Sequence, residues 1–380
     1  MSVRGAVGVR GVTLVALAAA LVLAGAALGC KRHKPPARAR LWLGPSHACS
    51  LQKTSLELEC WGDNSAGQLG DRTTTSRALP APVVTGAGLG AVDDLAIGAH
   101  HTCALSGGGV RCWGEGARGQ LGTGLTTSLS APSVPAIGGG VPLAGVVAIS
   151  AGGDRTCVLV ADGVRCWGDG VPDAQQPEGF RGAASVVAAG EGFACAAFAD
   201  PRAVRCSGAD DRGQSAARQP VLTGAMIAGM SAGSKHACVV LEDGSVQCWG
   251  ANDYGQLGDG TTTDSRVPAL VQGLPPAAEV RAGATHTCAR LRNKTVACWG
   301  DNRAHQLVNG TSKPSSRPVP VQALMGVAEL AVGGDSGCVR LGEGEARCWG
   351  ANAFGQLGDG TTVPHDVPMP LKAAPAVKKN

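Results

Sequence analysis

The fifteen cysteines and eight histidines are the residues of this 380-residue chain best equipped for chemistry. They could serve as thiolate nucleophiles, metal ligands or disulfides. Fourteen of the cysteines form close pairs: Cys49 with Cys60, Cys103 with Cys112, Cys157 with Cys166, Cys195 with Cys206, Cys238 with Cys248, Cys288 with Cys298, and Cys338 with Cys348. Structural zinc sites favour C-x-x-C spacing, which occurs nowhere here. His47, His101, His236 and His286 each stand two residues before the first cysteine of a pair, where the other units carry Arg155, Phe193 and Ser336. Four histidines facing one axis could surround a metal. The repeated context favours the plainer role, a turn histidine bonded to local backbone, and the sequence calls for no metal and no cofactor. The acids offer no catalytic grouping. Asp162-Gly163, Asp243-Gly244, Asp259-Gly260 and Asp359-Gly360 read as turns, and neither a nucleophile–base pair nor a phosphate loop is present.

The elements that position these residues repeat. The second cysteines fall at 60, 112, 166, 206, 248, 298 and 348, and six of them run directly into Trp-Gly: Trp61, Trp113, Trp167, Trp249, Trp299 and Trp349. The exception reads Ser207-Gly208. Each full unit has the same order: an apolar strand ending in Ala or Gly, a turn, Cys-x-x-Leu, a turn, x-Val-x-Cys-Trp-Gly, Gly-Gln-Leu-Gly, Asp-Gly-Thr-Thr and a Pro-studded strand. That amounts to four short strands per unit, an all-β pattern that suits 58 glycines and 22 prolines.

These units resemble the repeat of the regulator of chromosome condensation family. The carrying residues are Trp61-Gly62-Asp63-Asn64 with Gly67-Gln68-Leu69-Gly70, Trp113-Gly114 with Gly119-Gln120-Leu121-Gly122, Trp249-Gly250-Ala251-Asn252 with Gly255-Gln256-Leu257-Gly258, and Trp349-Gly350-Ala351-Asn352 with Gly355-Gln356-Leu357-Gly358. The resemblance implies a seven-bladed β-propeller over residues 41–373, with repeats at about 41–95, 96–148, 149–187, 188–228, 229–279, 280–329 and 330–373 and a tail at 374–380. It also raises the activity of the family's eukaryotic founder, guanine-nucleotide exchange on a Ran-type GTPase.

On such blades the cysteine spacing makes sense. A loop at Ser106–Gly109 sets Cys103 opposite Cys112, and Glu242-Asp243-Gly244 sets Cys238 opposite Cys248. Directly opposed residues are close enough for a disulfide within each blade, each adding up to ~2.5 kcal/mol by loop entropy. Tryptophan, adjacent to cysteine, must point to the other strand face, so six indoles are expected between blades. The first and last strands are expected to close the ring by sharing one sheet.

The N-terminus reads as a targeting segment: Arg4 and Arg10, an apolar run from Val12 to Leu28, then Gly29-Cys30. Residues 1–29 are similar to a bacterial lipoprotein signal, which implies acylation of Cys30, the one cysteine left unpaired. Cleavage near Ala24-Gly25-Ala26 and an uncleaved anchor are the alternatives. Residues 30–40 form a basic, Pro-containing tether. Of the 33 Lys and Arg, seven lie in residues 1–40, leaving 26 against 29 acids. That mildly acidic body argues against a nucleic-acid footprint.

Blades 3 and 4 are about ten residues short and have lost Gly-Gln-Leu-Gly and Asp-Gly-Thr-Thr. The shortening opens a notch near Arg181, Asp210, Asp211, Arg212 and Arg218, a candidate binding rim. The expectation is a non-catalytic, monomeric propeller outside the cytosol, secreted or held on the outer membrane by an N-terminal lipid. It would bind a protein or a surface glycan. Exchange-factor activity and capping of a hydrolase are the alternatives, and a glycan-cleaving enzyme lacks paired carboxylates.

Overall fold

A computed structural model describes residues 40–52, 57–84, 89–132, 134–198, 203–215, 221–322, 324–342 and 344–372. The targeting segment, Cys30, nearly all of the tether, Arg218 and the 374–380 tail lie outside the described residues. The chain forms a seven-bladed all-β propeller. The innermost strands are Arg40–Leu43, Asp94–Ile97, Ala148–Gly152, Ala184–Ala189, Ile227–Ala232, Ala277–Ala282 and Val327–Gly333. They line a central channel of about 470 Å³.

Each blade is an antiparallel meander in chain order. In blade 2 the fourth position is reduced to single bridges, Gly114 to Leu129 and Arg111 to Pro135. The hairpins do what their turns dictate: Gly107 and Gly108 adopt φ of 57° and 81°, the left-handed pair that a two-residue reversal requires. Register then sets every cysteine opposite its expected partner, and seven disulfides form, one per blade. Cys49 bonds Cys60, Cys103 bonds Cys112, Cys157 bonds Cys166 and Cys195 bonds Cys206. Cys238 bonds Cys248, Cys288 bonds Cys298 and Cys338 bonds Cys348. All seven Cα separations are 4.0 or 4.1 Å.

The outermost strands carry prolines such as Pro80, Pro82, Pro268, Pro318, Pro320, Pro368 and Pro370. A residue without N–H cannot serve an incoming strand, so these prolines blunt the open edges.

Closure differs from expectation. The terminal strands do not share a sheet: Arg40–Leu43 is the innermost strand of blade 1 and His365–Pro370 the outermost of blade 7. Blades 1 and 7 each take all four of their strands from one contiguous stretch of chain, so neither lends a strand to the other. Blades 7 and 1 instead meet face to face, as the other neighbours do. Leu41 N–H donates to Glu329 Oε1 at 3.0 Å, repeating the bond from Leu330 N–H to Glu279 Oε1 between blades 6 and 7.

Candidate functional site

The joints between blades consume most of the chemistry-bearing residues. Each disulfide packs against the following blade while the adjacent tryptophan packs against the preceding one, as with Cys49 and Cys60 beside Trp113 and Trp61 beside Cys338 and Cys348. All six indoles are 0 or 1% exposed. Each Nε1–H donates to the backbone carbonyl of a glutamine one blade back: Trp61 to Gln356, Trp113 to Gln68, Trp167 to Gln120, Trp249 to Gln214, Trp299 to Gln256 and Trp349 to Gln306, at 2.9 or 3.0 Å.

Gln214 is a correction. Blade 4 keeps Gly213-Gln214 and the associated turn; only the leucine and second glycine have become Ser215 and Ala216. Ser215 N–H donates to Asp210 as Leu69 N–H does to Asn64. The joint left without a latch is therefore that of blades 3 and 4, where blade 3 has no glutamine loop and blade 4 has Ser207. Phe180 and Phe198 pack there against Cys157 and Cys166.

The histidines do not bond local backbone. His47, His101 and His236 reach across the joint through Nε2 to Thr102, Thr156 and Thr287 Oγ1 at 2.7 to 2.9 Å. Thr102 and Thr287 spend their own protons on Gln68 and Gln256 carbonyls, so His47 and His236 donate. For His286 the following unit has Gly337 at the threonine position, and neither of its ring nitrogens finds a protein partner. Burial holds all four imidazoles far below the ordinary histidine range, to about 3 for His47, His101 and His236 and about 4 for His286. A second proton would sit on a buried Nδ1 with no acceptor. Among the described residues no group of three or more His, Cys, Asp or Glu is placed to hold a metal ion.

The Asp-Gly-Thr-Thr loops have a local task. Asn64, Asn252 and Asn352 are buried and donate through Nδ2 to Asp71, Asp259 and Asp359 and to following carbonyls. The aspartates accept in turn from Thr73, Thr261 and Thr361.

The candidate rim divides. Asp210 pairs with Arg266 at 2.9 Å, Asp211 with Lys235 at 2.6 Å, and Arg212 with Asp253 and Asp264 at 2.5 and 2.6 Å. These pairs tie blade 4 to blade 5. Arg181 lies apart on blade 3, where its carbonyl accepts from Arg205. Asp210 and Asp211 also line a cleft that runs over one face of blades 2 to 5. On that face the residue after Trp-Gly bonds the turn between the first two strands, as Glu115 N–H does to His100 O and Asp169 N–H to Asp154 O. Six carboxylates line the cleft (Glu115, Asp154, Asp169, Glu191, Asp210, Asp211), with Arg118 and Lys235 as its full cations. Arg118 reaches Asp154 at 3.1 Å. Even so, burial first and Glu115 second hold the Asp154 carboxyl above the usual carboxylate range. Asp210 and Asp211 were named from the sequence, whereas Glu115, Asp154, Asp169 and Glu191 were missed because they come from separate turns of several blades.

Residues 40–379 match the family of RCC1-like domains. The human E3 ubiquitin-protein ligase HERC2 is 30% identical over 255 residues, covering 61% of this chain but 5% of the ligase. The chain thus spans about one-twentieth of that relative's length. Human WBSCR16 superposes with a TM-score of 0.71 at 19% identity, over 82% of this chain and 92% of that one. Prp20p of Saccharomyces cerevisiae, described with its binding to Gsp1p and histones, gives 0.70 at 16%, over 87% of each. At these identities the two structures speak for the fold alone.

Proposed function

The chain belongs to the family of RCC1-like domains, and from that premise we propose that it is a non-catalytic, protein-binding scaffold working outside the cytosol. The carrying observation is the acidic cleft on blades 2 to 5, mounted on a ring whose blades are each internally stapled. Loops on a rigid frame suit recognition, and carboxylates in excess of cations suit a partner with a basic surface. Prp20p, a propeller of the same shape, binds the proteins Gsp1p and histones. That supports a protein partner as the class, with no particular partner carried over.

An oxidising compartment is supported by seven disulfides. Attachment there through an acylated Cys30 is the reading that accounts for the fifteenth cysteine. Capture from intact cells, with wild type beside a Glu115→Gln, Asp154→Asn, Asp169→Asn variant, tests the proposal. A protein retained by wild type and lost by the variant is expected. Equal retention by both removes the cleft from the proposal, and no captured protein with either removes the scaffold.

A further inference from the structure

A fully covered disulfide has a roof with two parts, the leucine of its own glutamine loop and the tryptophan of the following blade. Blades 1, 2, 5, 6 and 7 have both. Leu69 and Trp113 cover Cys49 and Cys60, and Leu257 and Trp299 cover Cys238 and Cys248. In blade 6, Leu307 and Trp349 cover Cys288 and Cys298. The same pairing recurs with Leu121 and Trp167, and with Leu357 and Trp61. All ten cysteines of those blades are 0% exposed.

Blades 3 and 4 depart from this in different ways. Blade 3 has no leucine loop and faces Ser207 where a tryptophan would stand. Blade 4 faces Trp249, but Ser215 occupies the leucine position. In these two blades the second cysteine keeps a small residual exposure: Cys166 and Cys206 are each 7% exposed, against 0% for the other twelve paired cysteines.

We propose that Cys157–Cys166 and Cys195–Cys206 are the thiol-exchange site of this protein, open to an external dithiol while the other five bonds are closed to it. A thiolate must touch the sulfur it attacks, so access decides the rate. At Cys206 the incoming thiolate forms a mixed disulfide and Cys195 leaves as thiolate. The second thiol of the same molecule then attacks its own bound sulfur, and Cys206 leaves. The dithiol closes to a ring, oxidised by two electrons. The protein bond is reduced by two, and the two protons of the dithiol pass to the departing cysteines. Cys166 and Cys157 react alike. In the other blades the same attack must wait for a latched joint to part, exposing a tryptophan and breaking its Nε1–H bond, which is a sub-global opening.

The test uses the full folded chain with dithiothreitol at a concentration that leaves tryptophan fluorescence native. Released thiols are trapped with N-ethylmaleimide and mapped by peptide mass spectrometry over time. Cys157, Cys166, Cys195 and Cys206 should label at least ~10-fold faster than the rest. Uniform labelling, or earlier labelling in any other blade, overturns the proposal. Ser215→Leu restores half the blade 4 roof and should slow Cys195 and Cys206 at least ~3-fold while leaving Cys157 and Cys166 unchanged. Ser207→Trp should do the converse. If one variant does not fold, the other still decides, and a folded variant with unaltered labelling refutes the roof.

Discussion

Acid should loosen this ring at a pH set by histidine rather than carboxylate. The perturbation is a fall from pH 7.5 to 5. Four buried imidazoles titrate near 6.5 unfolded and at about 3 or 4 folded. Above 6.5 both states are neutral and stability is complete. As pH falls below 6.5 the unfolded chain takes up protons that the folded one refuses, so stability drains steadily down to the folded values. At pH 5 the loss is about 2 kcal/mol per histidine, roughly 8 kcal/mol for four, which is comparable to the whole stability of a typical domain. Between pH 5.5 and 4.5 the slope should approach ~5 kcal/mol per pH unit.

Carboxylates whose folded value is lowered act only at the foot of this window. Asp359, held down to about 2 mainly by His365 and Thr361 against its burial, loses its contribution only below 3.8. Asp154, Asp335 and Glu329 are raised by burial. They protonate first in the folded state and so add stability as the pH falls, opposing part of the histidine loss. The assay is the guanidinium midpoint of the oxidised protein at several pH values, for wild type and for His47→Gln, His101→Gln and His236→Gln. Each substitution should lower the slope by ~1.4 kcal/mol per pH unit. A wild-type midpoint unchanged from pH 7.5 to 5, or a slope indifferent to all three, refutes the reasoning.

Non-reducing peptide mapping should link every cysteine of the seven pairs to its partner 9 to 11 residues away; a link between blades would break the hairpin register. Gly337→Thr looks like a repair, offering His286 the hydroxyl its counterparts have, yet a Cβ there meets Trp349 Cζ2 at 2.5 Å. It should therefore lower stability by ~1–3 kcal/mol in a melt, and a stabilised variant would show that the indole yields. Cys30→Ala should move the protein from membrane to soluble fractions in cells, and unaltered fractionation would dispose of the lipid anchor.

The blade count, the disulfide pairing and the indole core were legible because each is written within one unit: Cys and Trp are adjacent, and the hairpin loop between the cysteines is only a few residues long. Relations between units were harder. That Trp and Gln latch neighbouring blades is visible only as a paired loss, blade 3 without its loop and blade 4 without its tryptophan. The histidines carry the same kind of signal. His47, His101 and His236 occur where the following unit has Thr before its cysteine, while Arg155, Phe193 and Ser336 precede units that have Ala194, Ala237 and Ala48. The ion pairs of Arg212, Lys235 and Arg266 join residues 24 to 56 apart, a spacing that carries no periodic mark.

These paired losses show that a repeat protein varies by joints rather than by blades. A tryptophan with no glutamine loop before it would bury an indole N–H without an acceptor, which costs about 1–3 kcal/mol. Losing both partners leaves nothing unpaired, and Phe180 and Phe198 can then fill the gap with apolar volume. The salt bridges one joint further on do not replace the latch, because Arg212, Asp253 and Lys235 remain 31 to 54% exposed, and such pairs contribute about 1 kcal/mol or less. The consequence is local. Blades 3 and 4 hold the unlatched joint, the shortened rim and the two incompletely covered disulfides, and the acidic cleft passes directly over them. Variation in this ring is thus concentrated in one arc, where a change of loop or side chain leaves the other latches intact.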